Sequence, residues 1–113
     1  MFFLFTFDNA PGSDARRAAT VELHRAYLKQ TVGRLLAGGP VMEADGETLQ
    51  GGLYIIEAET AASAQEWVNA DPFTKAGIRV NMRLSQWRKA VFNRAYVLGQ
   101  PDAPDFQPPT PRP

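Results

Sequence analysis

Phe2-Phe3-Leu4-Phe5-Thr6-Phe7, residues 2–7, is aromatic or aliphatic at every position but Thr6. A strand with a single buried face alternates apolar with polar; this one is apolar on both faces. The sheet that contains it must therefore be covered twice. Downstream, Asp8 to Ser13 with Pro11-Gly12 reads as a loop, and Ser13 or Asp14 is placed to cap a helix. From Asp14 to about Val32, Ala15, Ala19, Leu23, Ala26 and Tyr27 recur at helical spacing, with Gly33 as the stop. Residues 34–42, containing Gly38-Gly39-Pro40, read as a strand with a tight backbone feature. Asp45-Gly46 marks a hairpin turn, and residues 51–58 form the partner strand. A shorter helix, residues 61–70 with Ala64, Trp67 and Val68 inward, must end at Asp71-Pro72, because the residue before proline is pushed out of helical conformation. The last strand alternates, with Ile78, Val80, Met82 and Leu84 on one face and Arg79, Asn81, Arg83 and Ser85 on the other.

The order β-α-β-β-α-β predicts an α+β, ferredoxin-like sheet with two helices on one face. Its other face is left bare, although residues 2–7 and 53–56 are apolar on both sides. Pairing of two sheets in a homodimer covers it; the alternative is that residues 91–98 fold back over their own sheet. One domain over residues 1–98 is expected. Six of the nine prolines fall in residues 101–113, so 99–113 reads as an extended, proline-rich tail.

Composition removes several functions. Lys+Arg and Asp+Glu are both 12, which points to no nucleic-acid or anionic-membrane partner. The absence of cysteine removes disulfides, thiolate catalysis and thiolate metal sites, and a single histidine leaves no metal-ligand set. No cofactor motif is present: neither GxGxxG nor GxxxxGK[ST] occurs. The apolar start is short, lacks a basic region and runs into Asp8-Asn9, so it fails as a signal peptide or span, and a cytoplasmic setting is expected.

What remains is acid–base chemistry. His24, the only histidine, sits on the helix face of Arg17, Val21 and Leu28, one residue off the most apolar stripe. A ring there can serve as acid or base, or can be a half-buried histidine satisfied by a carbonyl. Asp71 before Pro72 is ordinary turn chemistry, and equally a carboxylate able to orient an imidazole. The pairing predicts the Asp71 carboxylate within hydrogen-bond reach of His24. Arg17, two turns before His24, is either a solvated charge or a holder of a substrate carboxylate. Gly38 and Gly39 either form a bulge or expose amides to an anion. Trp67 and Phe73 read as core and Trp87 as core or dimer interface. Tyr54 and Tyr27 read as packing residues with hydroxyl partners or as pocket lining, and Arg79, Arg83, Arg88 and Lys89 as a solvated strand face or part of an oligomer interface.

Arg17, His24, Tyr27-Leu28, Gly39-Pro40, Gly51, the 62–67 helix running into Asp71-Pro72-Phe73 and Gly77, and Trp87-Arg88 together resemble the YCII-related (YciI-like) family, over roughly residues 1–92. The resemblance implies a dimeric α+β barrel, two ferredoxin-like sheets face to face, with chemistry through a histidine–aspartate pair that maps to His24 and Asp71. It departs at Val21, where many relatives carry a second arginine, and at Gly52, where many carry a serine. The combined expectation is a homodimer, open to further assembly, that performs cofactor-independent isomerisation, elimination or a similar reaction on a small anionic or aromatic molecule. The alternative is a dimeric binding or accessory protein without turnover.

Overall fold

The computed structural model describes residues 1–93. The domain end expected at 98, the tail 99–113 and the greater part of the 91–98 segment lie outside them. The elements are β1 (Phe2–Asn9), α1 (Asp14–Gln30), a 3-10 turn (Val32–Arg34), β2 (Leu35–Met42), β3 (Leu49–Glu57), α2 (Ala61–Ala70), α3 (Pro72–Lys75) and β4 (Arg79–Trp87). The four strands form one antiparallel sheet in the order β2-β3-β1-β4. This is the expected α+β, ferredoxin-like architecture, the protomer fold of dimeric α+β barrels.

Cross-strand pairing explains the doubly apolar central strands. Phe3 pairs with Ile56, Phe5 with Tyr54 and Phe7 with Gly52, and these side chains point to the helix-covered face. Trp67 and Val68 of α2 and Tyr27 and Leu28 of α1 close over them. Fully burying a side chain such as Phe5 or Ile56 stabilises by about 1.5–3 kcal/mol. Two hydrogen bonds lash the helices together: Tyr27 Oη donates to the Trp67 carbonyl at 2.7 Å, and Trp67 Nε1 donates to Thr31 Oγ1 at 2.9 Å. Phe2, Leu4, Thr6, Leu53 and Ile55 point to the opposite face, where they are only half-buried. Trp87 meets Phe2 edge-on there at 6.2 Å.

The Asp45-Gly46 turn forms as expected. Asp45 accepts from the amides of Glu47 and Thr48 and from the Thr48 hydroxyl, and Gly46 has φ 72°. Those hydrogen bonds, chiefly from Thr48, bring the Asp45 carboxyl down to about 2.

Three expectations are corrected. α1 stops at Gln30, and Gly33 lies inside the 3-10 turn rather than at a helix stop. The buried face of α1 is not the alanine stripe: Leu23 is 63 % exposed, whereas His24 is buried between half-buried Arg17, Val21 and Leu28. Alanines contribute little apolar area, so the polar partners of His24 set the phase. Finally, β4 does not alternate. Thr6 pairs with Arg83 and Asp8 with Val80, leaving one residue on β1 opposite two on β4. Asn81 absorbs this bulge at φ 52°, a left-handed conformation that asparagine tolerates, and its amide donates to Asp8 Oδ2 at 3.0 Å. The phase change exposes Met82 and turns Arg79, expected in solvent, into the core beneath the helices.

Candidate active site

Four buried polar side chains from four parts of the chain meet under α1. The first is His24. The second is Asp71, which Pro72 holds in extended conformation (φ -65°, ψ 129°) between α2 and α3. Its carboxylate faces the ring: His24 Nδ1 lies 2.8 Å from Oδ1 and 3.0 Å from Oδ2. Both readings of Asp71 hold, because Oδ1 also accepts from the Phe73 amide at 2.9 Å and so caps α3. The cap fixes Phe73, whose ring stacks on His24 with centroids 3.9 Å apart and planes 13° from parallel.

Arg79, at the start of β4, is the third member. Its Nη2 approaches Asp71 Oδ2 at 3.1 Å, off the line of a hydrogen bond, and its Nη1 donates to Thr74 Oγ1 at 2.9 Å. The guanidinium lies 4.3 Å from the Phe7 ring centroid and 5.6 Å from that of Tyr54. Burial alone pushes the Asp71 carboxyl up. The hydrogen bond from His24, the Arg79 charge, the His24 charge and the Phe73 amide outweigh it and hold Asp71 below the usual carboxylate range. Asp71 is thus an anion at neutral pH and accepts from Nδ1–H.

Tyr54 of β3 is the fourth. Its Oη lies 3.1 Å from His24 Nε2, the hydroxyl partner its chemistry requires. With the proton on Nδ1, the neutral ring accepts at Nε2 and Tyr54 donates. Burial is the main reason the Tyr54 phenol is pushed up to about 12, with Arg79 and Arg17 acting in the opposite direction. Sequence reasoning missed Tyr54 and Arg79 as neighbours of the pair. The signal for Tyr54 was Gly38 on the adjacent strand, paired with it: a Cβ at Gly38 would run into Cδ1 and Cε1 of Tyr54, so only glycine leaves room for the ring. Gly39 lies beside it, opposite Leu53. At Gly52 a Cβ would meet the Phe7 ring, which occupies the space where the resemblance leads one to expect a serine side chain.

Arg17 is half-buried, 5.5 Å above the Phe73 ring, with no hydrogen bond or ion pair to its guanidinium among the described residues. Two concavities of about 400 Å³ lie elsewhere. One is beside Met1, Arg34 and Ser63; the other is lined by Thr6, Asp8, Gln50, Leu53, Asn81 and Arg83, among others. Neither contains His24. Among the described residues no three carboxylate, imidazole or thiol side chains converge as a metal site would need, and no helix is long and apolar enough to cross a membrane.

A ferredoxin-like sheet carrying a buried histidine–aspartate pair beneath its first helix defines the class, and the YCII-related domain model matches residues 1–88. The chain belongs to the YCII-related family. It is 27% identical over 95 residues to Protein YciI of Escherichia coli O6:H1, covering 79% of this chain and 97% of that one. To an uncharacterized protein of Haemophilus influenzae it is 28% identical over 96 residues, covering 79% and 98%. Among solved structures it resembles the 5-chloro-2-hydroxyhydroquinone dehydrochlorinase (TftG) of Burkholderia phenoliruptrix AC1100, in complex with 2,5-dihydroxybenzoquinone. The TM-score is 0.71 at 33% identity, covering 78% of this chain and 94% of that chain.

Proposed function

We propose that the chain is a cofactor-independent acid–base enzyme acting on a small anionic or hydroxylated aromatic molecule. His24 moves the proton, Asp71 fixes its tautomer and stabilises the imidazolium, and Arg17 with the Gly38 and Gly39 amides holds negative charge. The observation that carries this reading is the 2.8 Å contact of His24 Nδ1 with a carboxylate kept ionised inside the protein. That is how an orienting carboxylate prepares a general base. The likeness to a dehydrochlorinase at 33% identity supports a ring-bearing substrate and an isomerisation or elimination. The test is a panel of hydroxyhydroquinones, with and without chlorine, and enol lactones. His24→Ala is expected to lower kcat by about a hundredfold or more on any member turned over. Unchanged turnover in that variant sinks the assignment. A specific observation favours a second reading, binding without turnover: both ring nitrogens are already engaged within the protein. In that case His24→Ala changes affinity alone.

The reading includes a homodimer joined through the open sheet face, in a cytoplasmic setting. Leu4 and Ile55 pair across the strands at the centre of that face, half-buried in the protomer. Ile55→Lys is therefore expected to shift the mass seen by light scattering from dimer to monomer. A variant that still dimerises counts against this interface.

A further inference from the structure

We propose that Tyr54 is the group that exchanges the proton with the bound molecule, and that His24 receives it behind Tyr54, through Nε2. The inference rests on the acid–base reading above and specifies the atom through which it acts. Three sides of the His24 ring are occupied. Nδ1 faces Asp71, one flat face lies on Phe73, and Nε2 meets Tyr54 Oη at 3.1 Å. A base whose only accepting nitrogen already receives a phenol proton works through that phenol.

The Tyr54 ring is itself held for this task. Gly38 leaves it space on one side, Trp67 meets it edge-on at 5.6 Å, and Phe7 stacks against it at 6.3 Å. Burial keeps its phenol protonated in the resting state. Burial and the Asp71 charge outweigh the opposing charges of Arg79 and Arg17, so the phenol passes a proton on without resting as an anion. The Arg79 guanidinium, 5.6 Å from the Tyr54 ring centroid, is the cation beside it. The ligand class follows: an enol, phenol or activated C–H acid whose conjugate base is an anion.

The step balances without a redox partner. A proton leaving the molecule's C–H or O–H bond arrives on Tyr54 Oη as the phenol's own proton passes to Nε2. The molecule keeps the electron pair as an enolate or carbanion, Tyr54 stays neutral, and the imidazolium forms against the Asp71 carboxylate. Running the relay backwards onto a different atom completes an isomerisation. Departure of a leaving group with its electron pair completes an elimination, and His24 then releases its proton to water.

The experiment uses the full-length chain, labelled with ¹⁵N at its single histidine, and 2,5-dihydroxybenzoquinone as the probe. Tyr54→Phe preserves the ring packing. It is expected to move the Nε2 resonance toward that of a non-bonded ring nitrogen and to leave Nδ1 in place. Adding the quinone is expected to shift Nε2 in wild type and not in Tyr54→Phe, because the imidazole senses the ligand only through the phenol. On any panel molecule turned over, Tyr54→Phe should lower kcat by about a hundredfold. A quinone-induced Nε2 shift equal in both proteins means that ligand reaches His24 directly; it overturns the relay and leaves the acid–base reading standing. A wild-type ring indifferent to saturating quinone overturns the relay for this ligand class. If His24→Ala also retains full turnover on the panel, the acid–base reading falls with it.

Discussion

Arg79→Met is expected to destabilise the domain by about 3–5 kcal/mol, read as a lower urea midpoint. Methionine fills much of the volume beside Phe7 and supplies no charge. What remains is the Asp71 carboxylate, fully buried, without the guanidinium that approaches Oδ2 at 3.1 Å. Removing one partner of a buried pair leaves the other charge uncompensated, which costs far more than the pair contributes when intact. Thr74 Oγ1 loses its donor in the same substitution, and the rings of Phe7 and Tyr54 lose the cation packed between them. A midpoint within error of wild type would show that His24 and the Phe73 amide suffice to hold the carboxylate.

Asp71→Asn is expected to cost about 3 kcal/mol or more near pH 7, and the cost should shrink in acid. The sign follows from linkage. The carboxyl is held below its ordinary 3.8 when folded and returns to it when unfolded. Its contribution is therefore fully present above the unfolded value and is lost as pH falls through the folded one. Asparagine keeps an oxygen to cap Phe73 but has no charge to offer His24 or Arg79. Urea midpoints of wild type and variant, compared at about pH 7 and about pH 3, should lie closer together at the lower pH. A gap that stays constant with pH would mean that the cost of asparagine does not come from the lost carboxylate charge.

The element order was legible because each boundary has local chemistry: Asp45-Gly46 for the hairpin, Asp71-Pro72 for the helix end, and doubly apolar runs for the central strands. The contact between His24 and Asp71 was also anticipated. The rest depended on information that does not reside in any short window. Asn81 looks like one polar position in an alternating strand, and nothing beside it announces an extra residue against β1. Counted as strict alternation, β4 places Arg79 on the face opposite Leu84, as a surface charge. The inward face of α1 was misjudged because a run of alanines imitates an apolar stripe, while the burying force comes from partners 47 and 30 residues away, Asp71 and Tyr54. Tyr54 lay within an apolar strand, and its hydroxyl could be given a role only once the ring nitrogen facing it was known.

The bulge at Asn81 has a consequence for how such a sequence can drift. Met82 is exposed in the protomer, and Arg83, opposite Thr6, lies on the open sheet face. Arg79 and Leu84 lie five positions apart, an odd spacing that strict alternation would place on opposite faces, and the extra residue of the bulge is what lets both point inward. Deleting that residue would leave an even spacing and keep both side chains in place, whereas drawing it back into a straight ladder would turn one of them out. The length of this span is thus tied to its backbone shape, and a lineage can lose the bulge only together with the residue that forms it.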